Sequence, residues 1–307
     1  MVSASIDRST HLNRTANVIL NWLSHQLDRE QLAWLSKKQS ELLDGATQRS
    51  FFIAFSLVPR RLGKADSVLT DEDLQTAAEI CPGWQPQHWR VDQLARTLLV
   101  LSLIQGNPEN YQSILEQLFS AADIDELVAL YQALPLLPSP ENYQARAAEG
   151  IRTNMSVVFK AVALDNPYPS QYLSEAAWNQ MVLKAIFIDC PLYKIMGLGD
   201  RTNPTLSQML LDYAHERWAA DRGVTPELWR AMGAFTTDAM AEDLGGVLDC
   251  QDRIQQEAGA IACANSNSEK IRSLLESRPE LKAVAERQTW ESWTSSHLDN
   301  HRTNTAK

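Results

Sequence analysis

The spacing of apolar residues constrains this chain more than any other feature of its sequence. Between residues 13 and 287 they recur every three or four positions, in runs of about 10–20 residues, which is the period of an amphipathic helix. No period-2 alternation accompanies an Asn-Gly or Asp-Gly turn, the pattern typical of a β-hairpin. The sequence therefore predicts an all-α fold.

Short polar segments separate these runs and indicate where helices begin. Asn203 before Pro204, and Asn107 before Pro108, match a capping residue followed by proline at the first helical position. Thr70, followed by an acid three residues later, matches a capping box. We expect helices near residues 13–27, 29–44, 48–57, 71–80, 87–105, 109–122, 124–134, 141–164, 172–189, 204–221, 226–234, 238–259 and 268–287.

From residue 87 onward the predicted helices form successive pairs of about 35–45 residues with short connections. This period is typical of stacked antiparallel helix pairs, as in α-solenoids of the HEAT type. No repeated consensus accompanies the period, so an irregular helical bundle is the alternative. We expect a single all-α domain over residues 1–295 and a disordered polar tail over residues 296–307.

The net charge of the chain disfavours some classes of binding partner. A net charge of −10 is unlike that of nucleic-acid-binding proteins, which present a basic face to phosphates. We therefore expect neither nucleic acid nor an anionic membrane surface as a partner.

No apolar run reaches the roughly 20 residues of a transmembrane helix, and the first residues lack the apolar core of a secretory signal. A cytoplasmic location is predicted.

The four cysteines, Cys81, Cys190, Cys250 and Cys263, are far apart in the sequence and form no Cys-x-x-Cys pair. A zinc site usually needs closer spacing, and a disulfide framework needs an oxidising compartment. We interpret the cysteines as small buried apolar residues. The sequence predicts no metal site and no cofactor.

Polar residues are concentrated in one predicted helix, which contains the run Leu-Asp-Tyr-Ala-His-Glu-Arg-Trp. On a helical wheel Asp212 and His215 fall opposite the apolar stripe, whereas Arg217 falls in its middle. His215 lacks the second histidine of a His-Glu-x-x-His zinc motif, so we interpret it as a surface residue. A buried arginine needs a partner. For Arg217 we expect an ion pair with Glu175 or Asp189, or, as the alternative, an anionic or carbonyl ligand.

Further candidate binding residues lie on two other predicted helices. The helix before the one described above is apolar almost all round, with Asn179 beside Trp178 in an apolar sector and Lys184 in a narrow polar strip. We interpret Asn179 as a hydrogen-bonded core amide, with a ligand contact as the alternative. Arg152 and Asn154 flank the apolar stripe of an earlier helix. These five residues, with the three named above, are the candidates for binding a ligand or partner.

Several runs of residues give the chain a resemblance to a known family. They are residues 83–96, 149–154, 166–169, 177–185 and 212–218. With these runs the chain resembles the EboA family of bacterial metabolite-traffic proteins across about residues 50–235. The resemblance implies delivery of secondary-metabolite precursors, including those of cyanobacterial sunscreens, from the cytoplasm toward the periplasm. The gene-cluster neighbours of this family resemble a prenyltransferase and TIM-barrel proteins. The resemblance assigns no catalytic residue.

Three functions follow as alternatives from the sequence. The first is a non-enzymatic carrier, a helical scaffold that binds a small aromatic or isoprenoid-like metabolite or a protein of the same gene cluster. The second is an enzyme whose acid–base site combines Asp212, His215 and Lys184. The third is an adaptor that binds proteins and no small ligand. An enclosed apolar pocket near Trp178, Asn179 and Arg217 favours the carrier, and a flat exposed apolar patch favours the adaptor.

Overall fold

A computed structural model shows an all-helical chain, as the apolar period predicts. It describes the backbone of residues 2–297 and the side chains of residues 10–297. That part of the chain contains helices and no strand, apart from an isolated bridge between Asp66 and Arg90. No helix within it is long and apolar enough to cross a membrane. The stacked, HEAT-like arrangement and its alternative, the irregular bundle, stay predictions.

The chain divides into two compact units, Met1–Leu173 and Ser174–Lys307. The first contains α1 (Val2–Ser24), α2 (Arg29–Leu43), α3 (Gln48–Leu62), α4 (Asp71–Ile80), α5 (Val91–Gly106), α6 (Tyr111–Ala121), α7 (Ile124–Ala133), α8 (Gln144–Arg152), α9 (Ser156–Ala163) and α10 (Tyr168–Tyr172). The second contains α11 (Glu175–Phe187), α12 (Pro204–Ala219), α13 (Glu227–Met232), α14 (Ala241–Leu248), α15 (Arg253–Ala264), α16 (Glu269–Ser273), α17 (Pro279–Arg287) and α18 (Trp290–His297). Compactness does not test whether a unit folds alone, so the single domain predicted over residues 1–295 stays a prediction.

Helix α5 forms the centre of the first unit. Its sequence is apolar on nearly every side, and every residue from Val91 to Ile104 is buried. A helix of this kind must be covered by several neighbours, and α5 contacts α1, α2, α3 and α7. The approach of α2 is especially close at Gly106, where an added Cβ would lie 1.8 Å from the carbonyl oxygen of Leu42.

A buried ion pair lies within this apolar centre. Arg96 donates from Nη1 to Asp92 Oδ2 over 3.0 Å, and the two side chains are 1% and 0% exposed. Arg90 donates to both oxygens of Asp92 and to Asp125, and its bond to Asp92 raises the pKa of the Arg90 guanidinium. Because Arg96 and Asp92 are paired with each other and Asp92 is also paired with Arg90, the helix can bury Arg96 and Asp92 at tolerable cost.

Helix α15 is the central element of the second unit. All six residues from Ala258 to Cys263 are buried, and the helix contacts α13, α14 and α17. The small residues of this run allow the neighbouring helices to approach closely. Gly259 shows this most clearly, since an added Cβ would lie 2.8 Å from Val247 Cγ1 on α14.

Three predicted helices are each divided in the structure, so their predicted extents are wrong. The predicted helix 268–287 is interrupted between α16 and α17. The predicted helix 141–164 is interrupted between α8 and α9, where Thr153 Oγ1 accepts a hydrogen bond from the Met155 backbone N–H. Hydroxyl side chains that bind nearby backbone compete with the helix. The predicted helix 238–259 is interrupted between α14 and α15, because Asp252 accepts hydrogen bonds from the first turn of α15 and starts a new helix.

The predicted caps have mixed outcomes. Asn203 and Thr70 each accept a hydrogen bond from the third residue of the following helix, so both caps are confirmed. The cap predicted at Asn107 is wrong, since Asn107 follows the last turn of α5 and Asn110 precedes α6. Of the predicted tail over residues 296–307, the first two residues end α18 and residues 298–307 lie outside the described part of the chain.

Candidate functional site

A pocket in the second unit is the candidate site. Its volume of about 660 Å³ lies within the range of small-molecule sites. The end of α12, the loop between α12 and α13, and parts of α13, α14 and α15 form its walls. We call it the tryptophan pocket and define it by Trp218, Val224, Trp229, Asp243, Val247 and Gln255.

Two stacked tryptophans and one amide build the apolar wall of the tryptophan pocket. The ring centroids of Trp218 and Trp229 are 6.1 Å apart, with 26° between the planes. Trp229 is fully buried and Trp218 is 36% exposed, so Trp218 is the ring that a ligand can contact. Gln255 accepts from Trp229 Nε1 at 2.8 Å and donates to the carbonyl oxygen of Val224. This amide therefore fixes the loop, α13 and α15 against one another.

The end of α12 determines where Trp218 and the loop lie. The Asp221 N–H donates to the carbonyl of Trp218, and the Arg222 N–H donates to that of Arg217. This pair of bonds is a Schellman motif, and it requires a left-handed residue at its turn. Asp221 supplies that residue with φ 54°, since aspartate tolerates this conformation better than most side chains.

The side chain of Arg217 also bonds to the loop between α12 and α13. Its Nε donates to the carbonyl oxygen of Gly223 over 3.0 Å, and the side chain is half-buried. Within the described residues it forms no ion pair with Glu175 or Asp189, so that expectation is wrong. The helix ends at Ala219, and the side chain of Arg217 therefore reaches past the last turn to the loop carbonyl. Its proposed contact with a ligand stays a prediction.

Glu227 fixes α13, and with it Trp229, to the segment before α12. Its buried carboxylate accepts hydrogen bonds from the backbone N–H groups of Leu192 at 3.0 Å and Tyr193 at 2.7 Å. Burial raises the pKa of the Glu227 carboxyl, and the two backbone bonds oppose that rise. The carboxylate thus satisfies two backbone donors that would otherwise be buried without a partner.

Cys250, in the turn between α14 and α15, also lines the tryptophan pocket. Cys250 is half-buried, so its interpretation as a buried residue is wrong, whereas the other three cysteines are buried as expected. Burial raises the pKa of the Cys81 thiol to about 11 and that of Cys263 to about 12. Cys250 is therefore the thiol most open to reagents in the described part of the chain.

Acidic side chains form the rim of the tryptophan pocket. Glu242 and Asp243, both in the first turn of α14, line it. His215 is about half exposed and lies with Nε2 2.7 Å from Asp243 Oδ1, a contact that the wheel analysis did not predict. Asp212, exposed on α12, accepts a hydrogen bond from Gln208. The described residues contain no group of three His, Cys, Asp or Glu side chains placed to hold a metal ion.

Trp178, Asn179 and Lys184 lie on α11 and do not belong to the tryptophan pocket. Asn179 exchanges two hydrogen bonds with Asn203, at 3.1 and 2.8 Å, and Asn203 in turn caps α12. Its interpretation as a hydrogen-bonded core amide is confirmed. Trp178 is fully buried with the Arg201 guanidinium 4.7 Å above its ring. Burial lowers the pKa of the Lys184 ammonium. Ligand binding by these three residues stays a prediction.

Arg152 and Asn154 lie in the first unit, at the interruption between α8 and α9. Both are exposed. Asn154 is in the turn that Thr153 and Met155 close, and Arg152 is the last residue of α8. Their role as binding residues stays a prediction, and the tryptophan pocket is formed from residues of the second unit.

Sequence reasoning missed most of the residues that form the tryptophan pocket. Of the candidates, Asp212, His215 and Arg217 lie on the helix that ends at the pocket, and His215 contacts its rim. Trp229, Asp243 and Gln255 follow in the next 40 or so residues, and their convergence depends on the turn at Asp221. A useful signal was present in the sequence, since Trp218 and Trp229 lie on consecutive helices, where aromatic rings can meet across a turn.

Comparison with known proteins gives one match. The family model described as metabolite traffic protein EboA matches residues 15–233, which includes both tryptophans of the pocket and ends before its acidic rim. No match was found among curated proteins, and none among solved structures. Because the match covers well over half of the 307-residue chain, the protein belongs to the EboA family.

Proposed function

We propose that the protein is a non-enzymatic carrier in metabolite traffic, and that it holds a small aromatic or isoprenoid-like molecule in the tryptophan pocket. It acts from the cytoplasm as a helical scaffold, in a route that delivers a secondary-metabolite precursor toward the periplasm. The observation that carries this proposal is the pocket itself, which is open to solvent, largely apolar, about 660 Å³ in volume and has the partly exposed Trp218 in its wall.

Hydrogen bonds hold the walls of the tryptophan pocket in place, so the pocket is already formed before a ligand binds. Gln255, Arg217 and Glu227 each fix a backbone segment that borders the pocket, through the hydrogen bonds described above. A wall held in this way loses little conformational freedom when a ligand binds, which favours affinity for a small molecule. The family description, metabolite traffic, is consistent with a protein that holds such a molecule.

The two alternatives have less support. The acid–base site proposed from Asp212, His215 and Lys184 is not assembled in that form, because the carboxylate bonded to His215 is Asp243. For an adaptor, the most exposed large apolar side chains among residues 10–297 are Val68 and Phe187, at 77% and 75%. They lie in different units, and single exposed apolar residues are common on protein surfaces.

A tryptophan introduced at Gly246 is expected to weaken ligand binding at least about tenfold, because Gly246 lines the pocket and a large ring there removes its free volume. The probes are naphthylmethanol and farnesol, titrated by calorimetry into the wild-type chain and the Gly246→Trp variant. At least one probe should bind the wild type with a stoichiometry of one.

Gly245→Trp is the matched control. Gly245 is the preceding residue of the same helix, does not line the pocket and, like Gly246, has no atom within 4 Å of an added Cβ. It should leave the affinity of the bound probe unchanged. If neither probe binds, or if both variants weaken binding equally, the carrier proposal is wrong.

A further inference from the structure

We propose that the tryptophan pocket selects a flat apolar molecule that carries a protonated nitrogen. This inference rests on the proposed carrier function and adds the charge of the ligand to it. Four features of the pocket support it: the charges of its lining, the helix ends that meet there, the pairing of the nearby cations, and the exposed ring of Trp218.

The charged side chains that line the tryptophan pocket are acidic. They are Glu242, Asp243 and Asp252, and the described lining contains no lysine or arginine. Asp252 accepts hydrogen bonds from the first turn of α15 and so has a structural task. Glu242 is exposed and Asp243 is 23% exposed, so the carboxylates of both remain close to solvent at the rim. A cleft with charges of one sign attracts ligands of the other.

Backbone dipoles add to this negative charge. The last turns of α12 and α14 meet the pocket, at Trp218 and Val247, and the carbonyl end of a helix carries partial negative charge. The positive ends of α14 and α15 meet it as well. In α14 the acidic side chains of Glu242 and Asp243 lie in that first turn and offset its positive charge. At α15 the carboxylate of Asp252 already accepts from the N–H groups of Ile254 and Gln255, so that end has little capacity left for an anionic ligand.

Two arginines and one histidine near the tryptophan pocket are engaged with other groups. Arg217 does not line it, and its Nε proton is bonded to the carbonyl oxygen of Gly223. Arg253, the first residue of α15, pairs with Glu257. His215 contacts Asp243 and also lies with its ring centroid 5.8 Å from that of Trp218. Arg222, beside Gly223, is exposed and does not line the pocket, so a negatively charged ligand would meet the carboxylates of Glu242 and Asp243 with no arginine or lysine among the lining residues.

Trp218 supplies the surface on which a cationic aromatic molecule can rest. An indole ring attracts a cation over its face and stacks on another flat ring at its side. Because Trp218 is partly exposed beside Glu242 and Asp243, an apolar ring on the tryptophan would place an attached ammonium group toward the carboxylates. The pocket thus offers Trp218 to the apolar ring of the ligand, and the carboxylates of Glu242 and Asp243 to its ammonium group.

The test compares three probes that share a ring and differ in charge: naphthylmethylamine, naphthylmethanol and naphthoate. Calorimetric titration at low salt should show the amine binding about tenfold more tightly than the alcohol, and naphthoate more weakly than the alcohol. In the double variant Glu242→Gln with Asp243→Asn, the amine-to-alcohol ratio should fall to about one. The affinity for naphthylmethanol should be unchanged, which shows that the pocket is still folded.

The double variant Asp200→Asn with Glu280→Gln is the matched control. It removes the same number of charges from exposed positions of the same unit that do not line the pocket. It should keep the preference for the amine. If the alcohol binds as tightly as the amine, or naphthoate most tightly of the three, this inference is overturned while the carrier proposal stands. If none of the three binds, this inference is overturned, and the carrier proposal is contradicted as well when farnesol also fails to bind.

Discussion

Arg96→Met should lower the free energy of unfolding by about 3–5 kcal/mol, the cost expected when one partner of a buried ion pair is removed. Arg96 is 1% exposed, bonds Asp92 at 3.0 Å, and lies with its guanidinium 5.4 Å from the centre of the Phe55 ring. Methionine keeps much of the apolar volume. It leaves Asp92 buried in the centre of the first unit with Arg90 as its remaining cation. Urea unfolding followed by circular dichroism measures the change.

Two further variants separate charge from packing in this prediction. Adding Asp92→Asn to Arg96→Met removes the buried charge that has lost one of its two arginine partners and should restore part of the lost stability. Arg14→Met breaks the exposed pair with Glu79, whose side chains are 54% and 56% exposed, and should cost less than about 1 kcal/mol. Equal losses in Arg96→Met and Arg14→Met would show that the buried pair does not hold the first unit together.

Gly106→Ala should lower the free energy of unfolding by about 3 kcal/mol, at the upper end of what overpacking costs. The added Cβ would lie 1.8 Å from the carbonyl oxygen and 2.9 Å from the carbonyl carbon of Leu42. Both are backbone atoms in the last turn of α2, so no side-chain rotation relieves the clash. The two helices must move apart, and α5 must lose part of its cover.

Gly245→Ala is the comparison for this substitution. Gly245 lies inside α14 with no atom within 4 Å of an added Cβ, so alanine should stabilise the helix by up to about 1 kcal/mol. The two alanine variants should therefore change stability in opposite directions. A Gly106→Ala chain as stable as the wild type would contradict the close contact between α2 and α5. Thermal or urea unfolding of both variants gives the result.

The helical fold could be predicted because it follows from local pattern. The apolar period predicted helices, and the all-round apolar sequence of α5 indicated a central position. The interruptions at Thr153 and Asp252 could not be predicted from that period, since single side chains that bind nearby backbone decide them. Apolar residues continue at helical spacing on both sides of each interruption.

The site was harder to predict, because it depends on contacts between elements. The wheel placed Arg217 in an apolar stripe, but the Schellman turn ends α12 two residues later and frees the side chain to reach Gly223. His215 was correctly placed on a wet face. Its contact with Asp243, 28 residues further along the chain, requires the packing of α12 against later elements. No local pattern contains that information.

Fluorine NMR of the chain labelled with fluorotryptophan tests the central claim most directly, since each of the nine tryptophans gives its own resonance. Single Trp→Phe variants assign the signals. On titration with naphthylmethylamine, the resonance of Trp218 should shift most and that of its stacked neighbour Trp229 next. Trp178, buried beneath Arg201 and outside the pocket, should not move. Saturable binding that shifts Trp178 and leaves Trp218 unchanged would place the ligand elsewhere and contradict the assignment of this pocket.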